Sequence, residues 1–108
     1  MSPNFNELLT RVKQEIEEVS PQEINDKLNV ERDFTLLDVR EKDEWDQGHI
    51  DGAEFLPRGF LEVKVEKMLT DKNQPIVVYC AGGVRSAFAA QSLNQLGYAN
   101  VRSMTGGI

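Results

Sequence analysis

The chain has 108 residues, with 18 acidic against 12 basic side chains and a formal charge of −6. That allows one hydrophobic core rather than two, and it argues against general nucleic-acid binding, which needs clustered Lys and Arg. A lone cysteine and a lone histidine exclude an internal disulfide and a Cys/His zinc site.

The opening stretch, "MSPNFNELLTRVKQEIEEV", alternates charge with apolar residues and lacks the continuous apolar region of a signal peptide. No segment reaches the roughly 20 apolar residues of a membrane span. A cytoplasmic, reducing location is therefore expected.

In chain order, Phe5, Leu8, Leu9, Val12, Ile16 and Val19 recur at helical spacing, predicting an amphipathic helix over 4–18. "VSPQEI" then restarts a helix. Ser20 caps it, Pro21 suits its first position, Glu23 completes a capping box, and Val19 with Ile24 forms the staple. This second helix is expected to end near Leu28, with "NVERD" as a polar connector. "FTLLDV", 34–39, reads as an apolar strand. "EKDEWDQ" reads as a short helix with Trp45 as a core anchor, closed by Gly48. "AEFLP" is a brief extended piece, and 60–69 a helix whose valines leave a strand possible. "IVVY", 76–79, is continuously apolar, as a strand covered on both faces should be. "SAFAAQSLNQL" is a helix beginning near Ser86 and ended by Gly97, and "ANVRSM" is a last strand. Alternating strands and helices predict an α/β domain with a mainly parallel sheet.

Ligands of such sheets collect where strands end and helices begin. Cys80 stands there, after "IVVY" and before "AGGVRS". Ala81, Gly82 and Gly83 are small enough for the backbone to curl and aim several N–H groups inward. That nest and the helix dipole favour an anion, and the same field favours a thiolate. Arg85 adds a permanent charge able to grip an oxyanion. A lone cysteine is often an inert core residue, but the strand end, the glycine pair and the Arg-Ser that follow point to a nucleophile. His49, between two glycines in "DQGHIDGA", is expected to anchor its loop by hydrogen bonding rather than to act as the base.

Five motifs in order carry a family resemblance: "LLDVRE" (36–41), "EWDQGHIDGA" (44–53), "FLPRG" (55–59), "VVYCAGGVRSAFAA" (77–90) and "LGYANVRSMTGG" (96–107). From about Val19 to Ile108 the chain resembles the rhodanese (sulfurtransferase) domain. The resemblance implies a three-layer α/β fold, a central mainly parallel sheet between helices, preceded here by an extra N-terminal helix over 1–18. It implies a sulfurtransferase in which Cys80 takes sulfane sulfur from thiosulfate or a protein persulfide and passes it to a thiophile, with no cofactor. The amides from Ala81, Gly82, Gly83, Val84 and Ser86 would stabilise the anionic persulfide, and Arg85 would bind the charged donor or sulfite. Arg58 is read as either a second basic group at the pocket mouth or a surface charge. Ser86 either donates its hydroxyl to the loop or caps the helix, the second being favoured. Asp38 and Arg40 are expected to tie a strand end to its neighbours, and Gly106 and Gly107 to turn the chain after the last strand. The family continues past "TGG" with an aromatic residue and another helix, so a domain truncated at its C-terminus is expected, with the first helix packed over the part left exposed. The extra helix and the "PRGFLE" wording resemble rhodanese modules fused to E1-like adenylyltransferases. That would make the partners a cysteine desulfurase, a sulfur-carrier protein or an adenylyltransferase in molybdopterin or thiamine sulfur supply.

Two other functions compete. Phosphatases and arsenate reductases of related fold carry a Cys-x5-Arg loop, whereas "AGGV" leaves only four residues between Cys80 and Arg85. The tighter ring suits a single charged sulfur. Rhodanese-like domains without a cysteine act as binding modules, and Cys80 with Arg85 argues against that here.

Overall fold

Among the described residues, five strands form one sheet in the order β1-β5-β4-β2-β3, every neighbouring pair parallel. The strands are β1 (Glu17–Val19), β2 (Thr35–Asp38), β3 (Glu54–Phe55), β4 (Ile76–Tyr79) and β5 (Val101–Met104). The computed structural model describes residues 4–30 and 33–108. Its helices are α1 (Phe5–Glu15), α2 (Pro21–Val30), α3 (Lys42–Gln47), α4 (Leu61–Met68) and α5 (Val84–Gln95), with a 3-10 turn at Arg58–Phe60. None of the described helices is long and apolar enough to cross a membrane.

The two-residue period of a strand divides the core. Ile76 and Val78 on β4, and Cys80 just after it, enter one apolar cluster with residues of α4 and α5, among them Leu61, Val65, Ala89 and Leu93. Val77 and Tyr79 enter a second cluster with Val19 and Ile24. "IVVY" is apolar throughout because both faces are covered, and all four residues are buried. Burying a side chain of this size stabilises by about 1.5–3 kcal/mol, so the central strand is a rigid support for whatever follows it.

The cap of α2 forms with one change of donor, the Ser20 hydroxyl standing where a capping box uses the backbone N–H. The Glu23 amide donates to Ser20 Oγ at 3.1 Å, and the Ser20 hydroxyl donates to Glu23 Oε1 at 3.2 Å. Val19 and Ile24 bury into the same cluster, as a staple does. The helix runs through residue 30 rather than stopping near Leu28. Of the connector expected at 29–33, residues 31–32 lie outside the described residues.

Three expectations are corrected. The first helix stops at Glu15, and Glu17–Val19 joins the sheet instead, pairing in parallel with Arg102–Met104. Three residues give too short a pattern to separate a strand from the last turn of a helix. The first helix packs on α5 rather than over an open part of the sheet: Phe5 stacks on Phe88 with ring centroids 6.3 Å apart, and Gln91 Nε2 donates to Glu15 at 2.7 Å. Trp45 is half-buried rather than a core anchor, lying between His49 at 3.4 Å and Phe55 at 5.0 Å, centroid to centroid.

The connections set the site. From β2 the chain crosses by α3 to β3 on one side, while from β4 it crosses by α5 to β5 on the other. The strand order therefore reverses between β2 and β4, and their two loops diverge to leave a crevice at the carboxyl ends, where ligands of parallel sheets bind.

Candidate active site

Cys80 sits at that crevice on the carboxyl end of β4, only 1% exposed. Its sulfur faces the apolar cluster on one side. On the other it receives the Gly83 amide at 3.1 Å and the Ser86 amide at 3.4 Å, and its Sγ lies 3.5 Å from the Ser86 hydroxyl. Burial pushes the thiol pKa up; the Ser86 hydroxyl and the amides of Ser86, Gly82 and Gly83 outweigh it, so the net shift is downward. A cysteine that merely filled space would share the burial and lack the donors.

The loop owes its shape to glycine. Gly83 precedes α5 at φ +89°, a left-handed conformation that side chains rarely adopt, and a Cβ there would approach the Gly106 nitrogen to 3.0 Å. Ala81 and Gly82 are exposed above the sulfur, and Val84 is exposed at the start of the helix. Because α5 begins at Val84, its N-terminal cap is Gly83. The favoured capping role for Ser86 is thus replaced by the other: its side chain, fully buried, points back at the sulfur.

The glycine pair after β5 does more than turn the chain. Gly107, at φ +64°, lies so close to the loop backbone that a Cβ would come within 2.6 Å of the Ala81 carbonyl carbon. Beside it the Ile108 amide donates to the Cys80 carbonyl at 3.1 Å. Sequence reasoning missed this buttress, although two adjacent glycines after a strand were a usable signal.

Arg85 and Glu44 meet across the crevice. Arg85 Nη1 and Nη2 donate to Glu44 Oε1 and Oε2 at 2.6 and 3.0 Å, a bidentate fork between α5 and α3. The guanidinium hydrogen bond, then the Glu41 amide, holds the Glu44 carboxyl at about 2. Glu44 was not singled out in the sequence, where it is one of several acids in "REKDEWD". The fork places a carboxylate on the charge expected to be free for a donor anion.

The other named residues lie further out. Arg58 Nη1 pairs with Glu62 at 2.9 Å and its Nη2 donates to Ser92 at 3.1 Å, so its guanidinium braces α4 against α5. Asp38 is fully buried and accepts from the Arg40 amide at 2.9 Å and from its guanidinium at 2.8–3.1 Å, while Arg40 also donates to the Gly48 carbonyl at 2.7 Å. This pair joins the end of β2 to the loop after α3. His49 is exposed, with Nδ1 3.1 Å from the Trp45 carbonyl oxygen. Among the described residues no three His, Cys, Asp or Glu side chains are grouped to hold a metal ion.

The profile of the family described as "Rhodanese-like domain" matches residues 20–108. The adenylyltransferase/sulfurtransferase MoeZ of Mycobacterium tuberculosis, designated probable, is 34% identical over 90 residues, 83% of this chain and 23% of MoeZ, so the chain spans under a quarter of that relative. The thiosulfate sulfurtransferase GlpE of Coxiella burnetii is 38% identical over 76 residues, 70% of this chain and 69% of GlpE. Among solved structures, RPA3614 of Rhodopseudomonas palustris, described as of unknown function and a possible tyrosine phosphatase, superposes with a TM-score of 0.89. It is 25% identical, over 99% of this chain and 87% of that one.

Proposed function

The chain belongs to the rhodanese-like domain family, and from that premise we propose that it is a sulfurtransferase carrying one sulfane sulfur atom on Cys80. The Cys80 thiolate attacks the outer sulfur of thiosulfate or of a protein persulfide. As the new S–S bond forms, the donor's S–S bond breaks and its electron pair leaves with sulfite or with the donor thiolate. A thiophilic acceptor then attacks the terminal sulfur, and the Cys80 thiolate departs with its electrons.

The convergence of the Gly83 and Ser86 amides and the Ser86 hydroxyl on Sγ carries this reading. The donors serve the thiolate that starts the first half-reaction and leaves in the second. Arg85 reaches an anionic donor only by sharing or releasing Glu44. The acceptor is read as a protein of sulfur-carrier chemistry and the protein donor as a cysteine desulfurase, a reading consistent with the likeness to MoeZ, a probable adenylyltransferase/sulfurtransferase. The work is that of a soluble cytoplasmic enzyme.

Intact mass spectrometry after incubation with thiosulfate tests the proposal. A gain of about 32 Da, reversed by cyanide and absent from Cys80→Ala, is the expected persulfide. No gain from thiosulfate or from a desulfurase charged with persulfide rejects it. A phosphatase reading rests on the description of RPA3614 as a possible tyrosine phosphatase. It predicts aryl phosphate hydrolysis lost in Cys80→Ser, against which the four-residue spacing to Arg85 weighs.

A further inference from the structure

Ser103 lies on β5, in the apolar interior of the sheet, and is fully buried. The strand alternation places it on the same face as Val101, under α5, and its register partner on β4 is Val78, two residues before Cys80 and on the same face as the sulfur. Its hydroxyl lies 2.9 Å from Ser86 Oγ, which in turn lies 3.5 Å from Cys80 Sγ. Three side chains from β5, α5 and the end of β4 thus form a buried row ending on the sulfur.

A hydroxyl has one proton to give and two lone pairs to receive with. When Sγ carries a thiol proton, that proton can point at Ser86. When Sγ is an anion, only the Ser86 proton can complete the contact, which leaves the Ser86 oxygen as acceptor. Ser103 is the side chain placed to donate to it. A hydroxyl that accepts such a bond is a stronger donor, because bonds in a chain polarise one another and do so more in a low-dielectric interior.

We propose that Ser103 is a positioning residue of the sulfur site: by donating to Ser86 it directs the Ser86 proton at Sγ and so favours the anionic form of Cys80. The proposal rests on the reading of Cys80 as an activated nucleophile. It assigns to β5 a share in the site's electrostatics through the Ser103–Ser86 contact.

The charged groups around the site do not replace this effect. Arg85 at the start of α5 is neutralised by Glu44 from α3, and Arg40 beside β4 is neutralised by Asp38. Tyr79, adjoining Cys80 on the strand, faces the opposite cluster and is held protonated chiefly by burial. Arg102 on β5 pairs with Glu17. Ser103 is a member of none of these pairs, its hydroxyl meeting Ser86 instead, so a change there is read against them as background.

The test is the pH dependence of the iodoacetamide alkylation rate, which reports thiolate without requiring any sulfur donor. Wild type is compared with Ser103→Ala and with the equal-shaped pair Ser103→Thr and Ser103→Val, melting temperature being measured alongside. The expected result is a midpoint raised by roughly half a unit to one unit in the Ala and Val variants and restored by Thr. Should Ala fail to fold, the Thr–Val difference alone carries the comparison. Equal midpoints in Thr, Val and wild type, with wild type below the ordinary thiol value of about 8.5, overturn the role of Ser103 and leave Cys80 activated. A wild-type midpoint at or above that value overturns the activation of Cys80 itself, and the proposal with it.

Discussion

Glu44 and Arg85 are 41 positions apart and belong to different helices, yet their fork decides what charge the crevice presents. Both side chains are about one-third exposed, so the pair contributes only about 0.5–1 kcal/mol to stability. Its consequence for binding is larger in sign than in size: Arg85 faces a donor already half-satisfied. Glu44→Gln should therefore lower the KM for thiosulfate severalfold with kcat little changed, read from initial rates of thiocyanate formation. A raised KM would mean that Glu44 holds Arg85 in its productive position. The same variant has a stability signature. The Glu44 carboxyl is held at about 2, below its unfolded value of about 4.3, so the fork's stabilisation is complete above about pH 5 and is lost as pH falls toward 2. The stability gap between wild type and Glu44→Gln, measured by urea unfolding, should close across that window. Neither Glu44 nor Ser103 was legible in the sequence, because each acts through a partner on another element. Cys80 was legible because its strand, glycines and helix start are consecutive.

Two loops from neighbouring strands hold the site together at the level of elements. The loop after β4 curls around the sulfur, and the loop after β5 backs it, with Gly107 against the Ala81 carbonyl and Ile108 bonded to the Cys80 carbonyl. Gly107→Ala should displace the Cys80–Gly83 backbone, since its Cβ would meet main-chain atoms that cannot rotate away. We expect a loss of about 2 kcal/mol or more in stability and slower persulfide formation, checked by thermal unfolding and by mass spectrometry. Gly82→Ala, where a Cβ would meet nothing within 4 Å, is the control and should retain both properties. The four-residue strands β2, β4 and β5 were legible, although only β4 is apolar throughout. The edge strand β1 was absorbed into the preceding helix because Ile16 and Val19, three positions apart, continue its helical period, and only pairing with β5 reveals the strand. Trp45 was misplaced for a related reason: helical spacing gives a face, and what covers that face is tertiary.

At the scale of the whole molecule the crevice lies in a protein of charge −6, and Arg85 and Arg40 are each paired with a carboxylate. A dianionic donor such as thiosulfate then approaches against the net field, with little free local charge to reverse it. Screening acts over about 10 Å at 0.1 M salt, so added salt should weaken the long-range repulsion while the short hydrogen bonds to Sγ persist. The expected result is a thiosulfate kcat/KM that rises about two- to threefold between roughly 20 and 200 mM salt. Alkylation by uncharged iodoacetamide, measured on the pH plateau, should stay constant over the same range. Glu44→Gln, which removes one negative charge and frees the Arg85 guanidinium, should reduce or invert the rise for thiosulfate. A wild-type rate that falls with salt would mean that the local field of Arg85 outweighs the acidic surface even with Glu44 in place. In that case the free anion, rather than a persulfide delivered by a partner protein, becomes the donor the crevice is charged to receive.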